Sequence, residues 1–521
     1  MFPRVLGIVL SLVNAHAFAQ TEDDWGDESA DWGDETADDS ASDADWGESE
    51  GDDWNENSGD SDWGESTDDG FGGIGALNLD ELGLPGPEDY RFEATLSLET
   101  DSQFWLQRIK SEPLAKLAET MKVNVQASGD WWQVRGGISI SYDAAYLMDR
   151  LERDLETLRT YEFYALARET STAVELGAFS LKHGLIAPSF SELDLTSSLD
   201  LVSVFDLREP GLREPEDVRL PVWASRLGGQ WSGHSVEAIV IHEPRYDLRS
   251  PPFGPFGPVK GQLETLGVFI DWERLTEDRL VSIGDKEEED PFARQQAVLR
   301  YAYRGGGVDF TLLAASIFDR VGELENVDIG PWLEPKSNLF ELTLLHRRYE
   351  IAALGLATSL GSWLLKSELV YRHRQPTFFR DPTPGLVVPI VAGRHELVSG
   401  AIGLTTSGDG WQIGVEATQA FRISSRDIEE LQDSERGSWA FRAQFLFARD
   451  VLNLSFIGLS SGWMLEGGGV GRTELGWSLD DEWSLAGGIV GYLEGKELGP
   501  FAGWDRHTRG YLRLTWAKVV Y

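Results

Sequence analysis

The texture of the chain limits its fold more than any single motif. From Arg91 onward it breaks into runs of about ten residues that alternate in polarity and are bounded by turn residues. Such a run shows one face to apolar surroundings and the other to something polar. The runs are Glu119–Ser128, Trp131–Tyr142, Ala173–Leu181, Ser235–His242, Ala293–Tyr303, Asn338–Leu345, Ser362–Tyr371, Trp411–Phe421, Trp439–Phe447, Val451–Leu459 and Trp483–Tyr492. Trp, Tyr and Phe gather near the run ends, where interfacial girdles of a membrane barrel lie.

The connections carry a second signal. Tight links at Gly129-Asp130, Ser232-Gly233, Gly305-Gly306, Gly408-Asp409 and Asp480-Asp481 alternate with long ones at 183–220, 244–262, 319–336, 374–392 and 422–436. Barrels of this kind have short turns on one side and long loops on the other. The parity breaks once, near 350–373, so a strand there escapes the pattern. The expectation is all-β: a transmembrane antiparallel β-barrel over 91–521 with about 16 to 20 strands, an even number. A soluble sandwich or propeller would have to pack the alternating faces against another sheet. Two segments read as helix, either loop decoration or a constriction folded into the pore. Tyr146–Leu158 has Leu147, Leu151, Leu155 and Leu158 on one face, and Ser111–Thr120 has a cap residue and Pro113 in its first turn.

The first 19 residues read as an export signal. Arg4 supplies the charge, Val5–Val13 a short apolar stretch, and Ala17-Phe18-Ala19 the small residues before a cut ahead of Gln20. There are no cysteines, which excludes disulfides and thiolate metal sites. Residues 21–70 hold 22 Asp or Glu and no Lys or Arg, about half of the formal net charge of −43. Such a segment cannot bury enough apolar surface to offset its ordering entropy and should be disordered. Asp-Trp nevertheless recurs in it at Trp25, Trp32, Trp46, Trp54 and Trp63, with irregular spacing. Trp is a frequent interface anchor, and repeated anchors on a flexible string gain avidity. The tail over 20–70 therefore reads as a docking element. A solvated spacer, a plug in the lumen and weak shared attraction of divalent cations are the other readings. A Gly/Pro linker over 71–90 joins it to the barrel.

The chain ends on a strand-like run closed by Tyr521. With the export signal and the strand texture, this resembles an outer-membrane β-barrel of Gram-negative bacteria. The resemblance implies an outer-membrane location with the tail in the periplasm. Lipids and the barrel-assembly machinery would be partners, and Tyr521 would serve as the assembly signal. Leu512, Leu514 and Trp516 share a face, whereas Tyr521 falls in the opposite register. The stretch Gly177-Ala-Phe-Ser-Leu-Lys-His-Gly184, then Leu199-Asp-Leu201, Phe205-Asp206 and Arg219-Leu-Pro-Val-Trp-Ala224, is similar to alginate-export-type porins. His183 stands where that group has Trp, and its Asn-Pro is missing. The resemblance over 177–245 implies passage of a substrate across the outer membrane.

Charged residues on strands are costly in lipid and should face a wet lumen. Arg135, Arg300, Lys366, Glu368 and Arg442 are the lumen candidates, and Arg372, Arg374 and Arg380 border a long loop as pore-mouth candidates. No two histidines sit at metal-ligand spacing on one element and no Gly-x-Ser-x-Gly elbow is present. His183, beside a long loop, is the one histidine worth watching. The reading is a non-enzymatic conduit without cofactors, metal or nucleic acid, whose tail docks a periplasmic or inner-membrane transport component. A non-conducting anchoring protein is the alternative, and an outer-membrane hydrolase the third.

Overall fold

The fold is described from a computed structural model. It describes residues 91–106, 114–145, 162–250, 256, 281–286, 294–329, 340–380, 390–423, 437–495, 501 and 504–520, apart from positions 197, 214, 321 and 450. Nineteen paired segments form one sheet. Two of them, Phe163–Ala167 and Thr170–Leu176, pair with the same neighbour on either side of a break and make one strand, which leaves eighteen.

In chain order the strands are β1 (Arg91–Trp105), β2 (Leu114–Gly129), β3 (Trp132–Asp143), the two-piece β4, β5 (Phe179–Ile186) and β6 (Val222–Trp231). Then come β7 (His234–Ile241), β8 (Gln296–Gly305), β9 (Val308–Phe318), β10 (Arg348–Leu360), β11 (Trp363–Arg380) and β12 (Ile390–Gly408). The last are β13 (Trp411–Arg422), β14 (Ser438–Phe447), β15 (Leu452–Ser461), β16 (Gly469–Ser478), β17 (Trp483–Leu493) and β18 (Arg509–Val520). Each pairs antiparallel with the next. β18 returns to β1 from Ala94↔Val520 to Trp105↔Arg509, so the barrel is closed and has no free edge. Eighteen strands about 4.8 Å apart and tilted by about 40° enclose a backbone ring roughly 35 Å across.

Alternation sorts the side chains. Leu176, Phe179, Leu227, Leu299, Leu369 and Ile402 point outward and are half or more exposed, forming the apolar belt that lipid requires. At the short-turn rim Trp132, Trp231, Trp363, Trp411, Trp477 and Trp483 start or end their strands in outward register. Trp223 and Trp439 face out near the opposite rim. Trp223 and Trp231 lie eight residues apart on β6. With this tilt that is about 20 Å along the barrel axis, close to the height of an apolar membrane band. The barrel spans a membrane with its strands, and no helix among the described residues is long and apolar enough to do so.

Short turns and long connections alternate without a break. The turn at Ser232-Gly233 has φ of 45° and 77°, the conformation of a two-residue hairpin. An even strand count puts Arg91 and Val520 at the same rim, that of the short turns.

Four readings need correction. Asn338–Leu345 is not a wall strand; its described part, Phe340–Leu345, pairs with Glu323–Ile329 and Val281–Lys286 in a separate sheet. The missing strand is β10, whose alternation fades because its inner face is apolar as well. Ala173–Leu181 joins the end of β4 to the start of β5 across the turn at Gly177–Ala178. The described part of Ser111–Thr120, Leu114–Thr120, is not helical but opens β2. The segment Tyr146–Leu158, the tail tryptophans Trp25, Trp32, Trp46, Trp54 and Trp63, and Tyr521 lie outside the described residues.

Candidate functional site

The lumen is where the polar faces converge. The register places Arg135 on β3, Arg300 on β8, Lys366 and Glu368 on β11 and Arg442 on β14 on the inner face. Val134, Leu299, Leu369 and Phe441, each next to one of these charges, face out and are exposed. Of the pore-mouth candidates, Arg372 also faces inward and donates to Ser399 Oγ and Gln375 Oε1 at 3.2 Å each. Arg374 sits in a bulge of β11 with φ of 59° and is exposed. Arg380 pairs through its backbone with Ile390.

A cationic arc runs over β3 to β8. Lys182 and Arg226 are direct cross-strand partners on the inner face. Lys182 pairs with Glu169 at 2.5 Å, while Glu237 pairs with Arg226 and lies 3.7 Å from Arg300. Arg135, Lys182, Arg226 and Arg300 thus line this part of the inner wall, with Glu169 and Glu237 paired among them. Low-dielectric walls focus the field of such charges into the lumen.

The connection between β5 and β6, residues 187–221, is a strap folded into the barrel. Its near end is held by two wall carboxylates. Glu416 on β13 accepts from the Asp194, Leu195 and Thr196 amides at 2.8, 2.9 and 2.7 Å, and from Thr196 Oγ1 at 3.0 Å. Glu368 on β11 accepts from the Glu192, Ser198 and Leu199 amides at 3.0, 2.8 and 2.9 Å, and from Ser191 Oγ at 2.6 Å. Lys366 reaches Asp194 at 3.2 Å. A loop inside a barrel has no ladder for its amides, and a buried carboxylate satisfies several at once. Glu416 lies five residues from Trp411, roughly 16 Å along the strand, so this end sits well inside the barrel.

The strap then packs Phe190, Leu199, Val202, Val204 and Leu220 on an apolar patch of inner wall that includes Ile239, Val298, Leu313, Ile351 and Val370. Its far end meets the opposite wall. Tyr492 on β17 donates to the Pro210 carbonyl at 2.6 Å and Arg513 on β18 to the Leu212 carbonyl at 3.0 Å. On β2, Lys116 pairs with Glu209 at 2.5 Å and Lys122 with Asp217 at 3.2 Å. At Gly211, with φ of 80°, a Cβ would fall 2.8 Å from Val470 Cγ2, so the strap presses its backbone on the wall. Burial would push the Glu209 carboxyl up, but Lys116, Arg213 and Arg509 hold it down to about 2. Asp217 is likewise held below the usual range by Lys122 and Arg168 against burial. β2 lies seven to nine strands from β11–β13 in an eighteen-strand ring, nearly opposite, so the strap crosses the lumen and narrows it.

His183 faces out, not in. Its Nδ1 lies 2.7 Å from Ser225 Oγ, and Ser225 Oγ lies 2.8 Å from His242 Nε2. Neither Ser225 nor His242 stands out in the sequence, because the three meet only through the β5–β6–β7 register. Among the described residues no group of three or more His, Cys, Asp or Glu side chains is arranged to hold a metal ion.

No protein-family model matches the chain. No curated protein matches it either. Solved structures similar to it include a BenF-like porin from Pseudomonas fluorescens Pf-5, at 12% identity over 83% of this chain and 99% of that one, TM-score 0.46. OccK11 (OpdR) from Pseudomonas aeruginosa is similar at 13% identity over 82% and 96%, TM-score 0.43. OccK3 (OpdO) from the same organism gives 10% identity over 82% and 96%, TM-score 0.44. At these values the closed barrel rests on its own strand pairing.

Proposed function

We propose that this chain is an outer-membrane conduit of a Gram-negative bacterium, porin-like or part of an export system, narrowed by the strap. The observation that carries the reading is a closed eighteen-strand ring with an apolar exterior and a charged interior crossed by the 187–221 strap. Barrels of 16 to 18 strands leave an aqueous channel, and the strap by itself does not fill a ring of about this width. The charges on the inner wall then act on the passing solute, with Arg135, Arg300 and Arg442 lining the route and Lys366 and Glu368 fixing the strap. The segment before Arg91 joins the barrel at the short-turn rim, which is the periplasmic one in outer-membrane barrels. From there the Asp-Trp motifs reach a periplasmic or inner-membrane transport partner. The resemblance of 177–245 to alginate-export-type porins falls on β5, the strap, β6 and β7, and it supports a role in export.

A non-conducting anchoring protein is the second reading, favoured by one observation: the strap is bonded to both walls. Single-channel conductance in planar bilayers separates the two, measured on the chain without residues 1–19 and on a form that also lacks 20–90. Steady conductance in both supports a conduit with a docking tail. Conductance only after the deletion supports a plug. Silence in both, from protein that migrates as a folded barrel, sinks the conduit and leaves the anchor.

A further inference from the structure

We infer that His183, Ser225 and His242 form an outward-facing site for the phosphate of a membrane lipid headgroup. The three groups lie on adjacent strands of the lipid-facing wall, with ring centroids of the two histidines 5.7 Å apart. Leu181, Leu227 and Trp223 surround them and are exposed to lipid. Trp223 meets His183 edge-on at 4.9 Å and sits near the long-loop rim. Polar groups on this face are costly unless headgroups reach them, and the interfacial aromatic sets that depth.

The hydroxyl fixes what the rings offer. Ser225 Oγ carries one proton, so it donates to one ring nitrogen and accepts from the other. The ring that accepts must hold its own proton on its far nitrogen, which is a donor free for a ligand. The other ring has a bare far nitrogen, which becomes a second donor when it binds a proton. Two imidazole donors, one of them then cationic, suit a phosphate oxygen pair.

Catalysis is the less favoured use of the same groups. A serine nucleophile needs a base that is itself oriented, and donors for an oxyanion. Neither ring has a carboxylate or carbonyl on its far nitrogen among the described residues. The amides beside Ser225 are committed to the ladders with β5 and β7.

The test is native mass spectrometry of the delipidated full-length barrel, titrated with phosphatidylglycerol, with diacylglycerol and with inorganic phosphate. One phosphatidylglycerol should be retained, with no comparable retention of diacylglycerol. The double substitution His183→Leu and His242→Leu should weaken retention at least about tenfold, roughly the loss of one charge-assisted hydrogen bond. His242→Gln keeps a donor and should bind nearly as well, and heat-modifiable gel migration verifies that each variant is folded. Equal retention by the double variant overturns the site. Binding of inorganic phosphate without preference for the lipid overturns the lipid source. Release of fatty acid, lost in Ser225→Ala, overturns binding in favour of hydrolysis.

Discussion

Single residues decide whether the strap holds. Glu416 satisfies three amides and a hydroxyl with one carboxylate. Glu416→Gln replaces one acceptor oxygen by a donor facing those amides, which should cost about 1–3 kcal/mol at this anchor. Hydrogen exchange of residues 194–199 should rise several-fold in the variant while the wall strands stay protected; unchanged exchange would show that the carboxylate is not the anchor. Arg300→Gln makes a different point. It removes one cation of the arc, so reversal potentials in a salt gradient should shift toward cations. No shift in a conducting variant would place this arc off the route. Glu416 was not singled out in the sequence, whereas the inner face of Arg300 was legible from alternation alone. Their partners were not, since nothing in the sequence marks a carboxylate that will meet amides some 220 residues earlier.

The strap obscures β10 by laying apolar residues against its inner face. The inner face of β10 carries Tyr349, Ile351 and Ala353 against Leu199 and its neighbours, so both faces are apolar and the period of two is lost. In contrast, β13 and β14 keep polar side chains on the inner face, Glu416, Arg442 and Gln444, so the period of two stays readable. Ala173–Leu181 concealed a turn because Gly177–Ala178 is too short to interrupt the pattern. The strap itself looks like any long loop, because its constraint comes from the wall and not from its own composition. Its response to acid follows from Glu209. The folded-state value, about 2, lies below the ordinary 4.5, so Glu209 adds stability that is complete above pH 4.5 and is lost as pH falls toward 2. Open-channel noise should therefore stay constant from pH 7 to about 5 and grow below about 4.5. Noise that begins near pH 6 would assign the change to another group. Gly211→Ala should disturb the same end at neutral pH, since both its φ and its distance to Val470 exclude a methyl group.

The whole molecule is a belt and a ring. Tryptophans at the short-turn rim should sit at the membrane interface. Brominated lipids labelled near the headgroup should quench their fluorescence more than lipids labelled at the chain ends, and the reverse result would move the barrel in the bilayer. The ring also has a seam, where β1 meets β18. The strap is tied to β1's neighbour β2 and to β17 and β18 on one side, and to β11 and β13 on the other. A sealed ring offers no sideways entrance, so construction has an order: the crossbar is captured while the wall is still open, and the first and last strands meet around it. The ion pairs at Lys116 and Lys122 then work as a clasp that draws the seam together. Removing them should slow the appearance of the heat-resistant form more than it lowers its final amount.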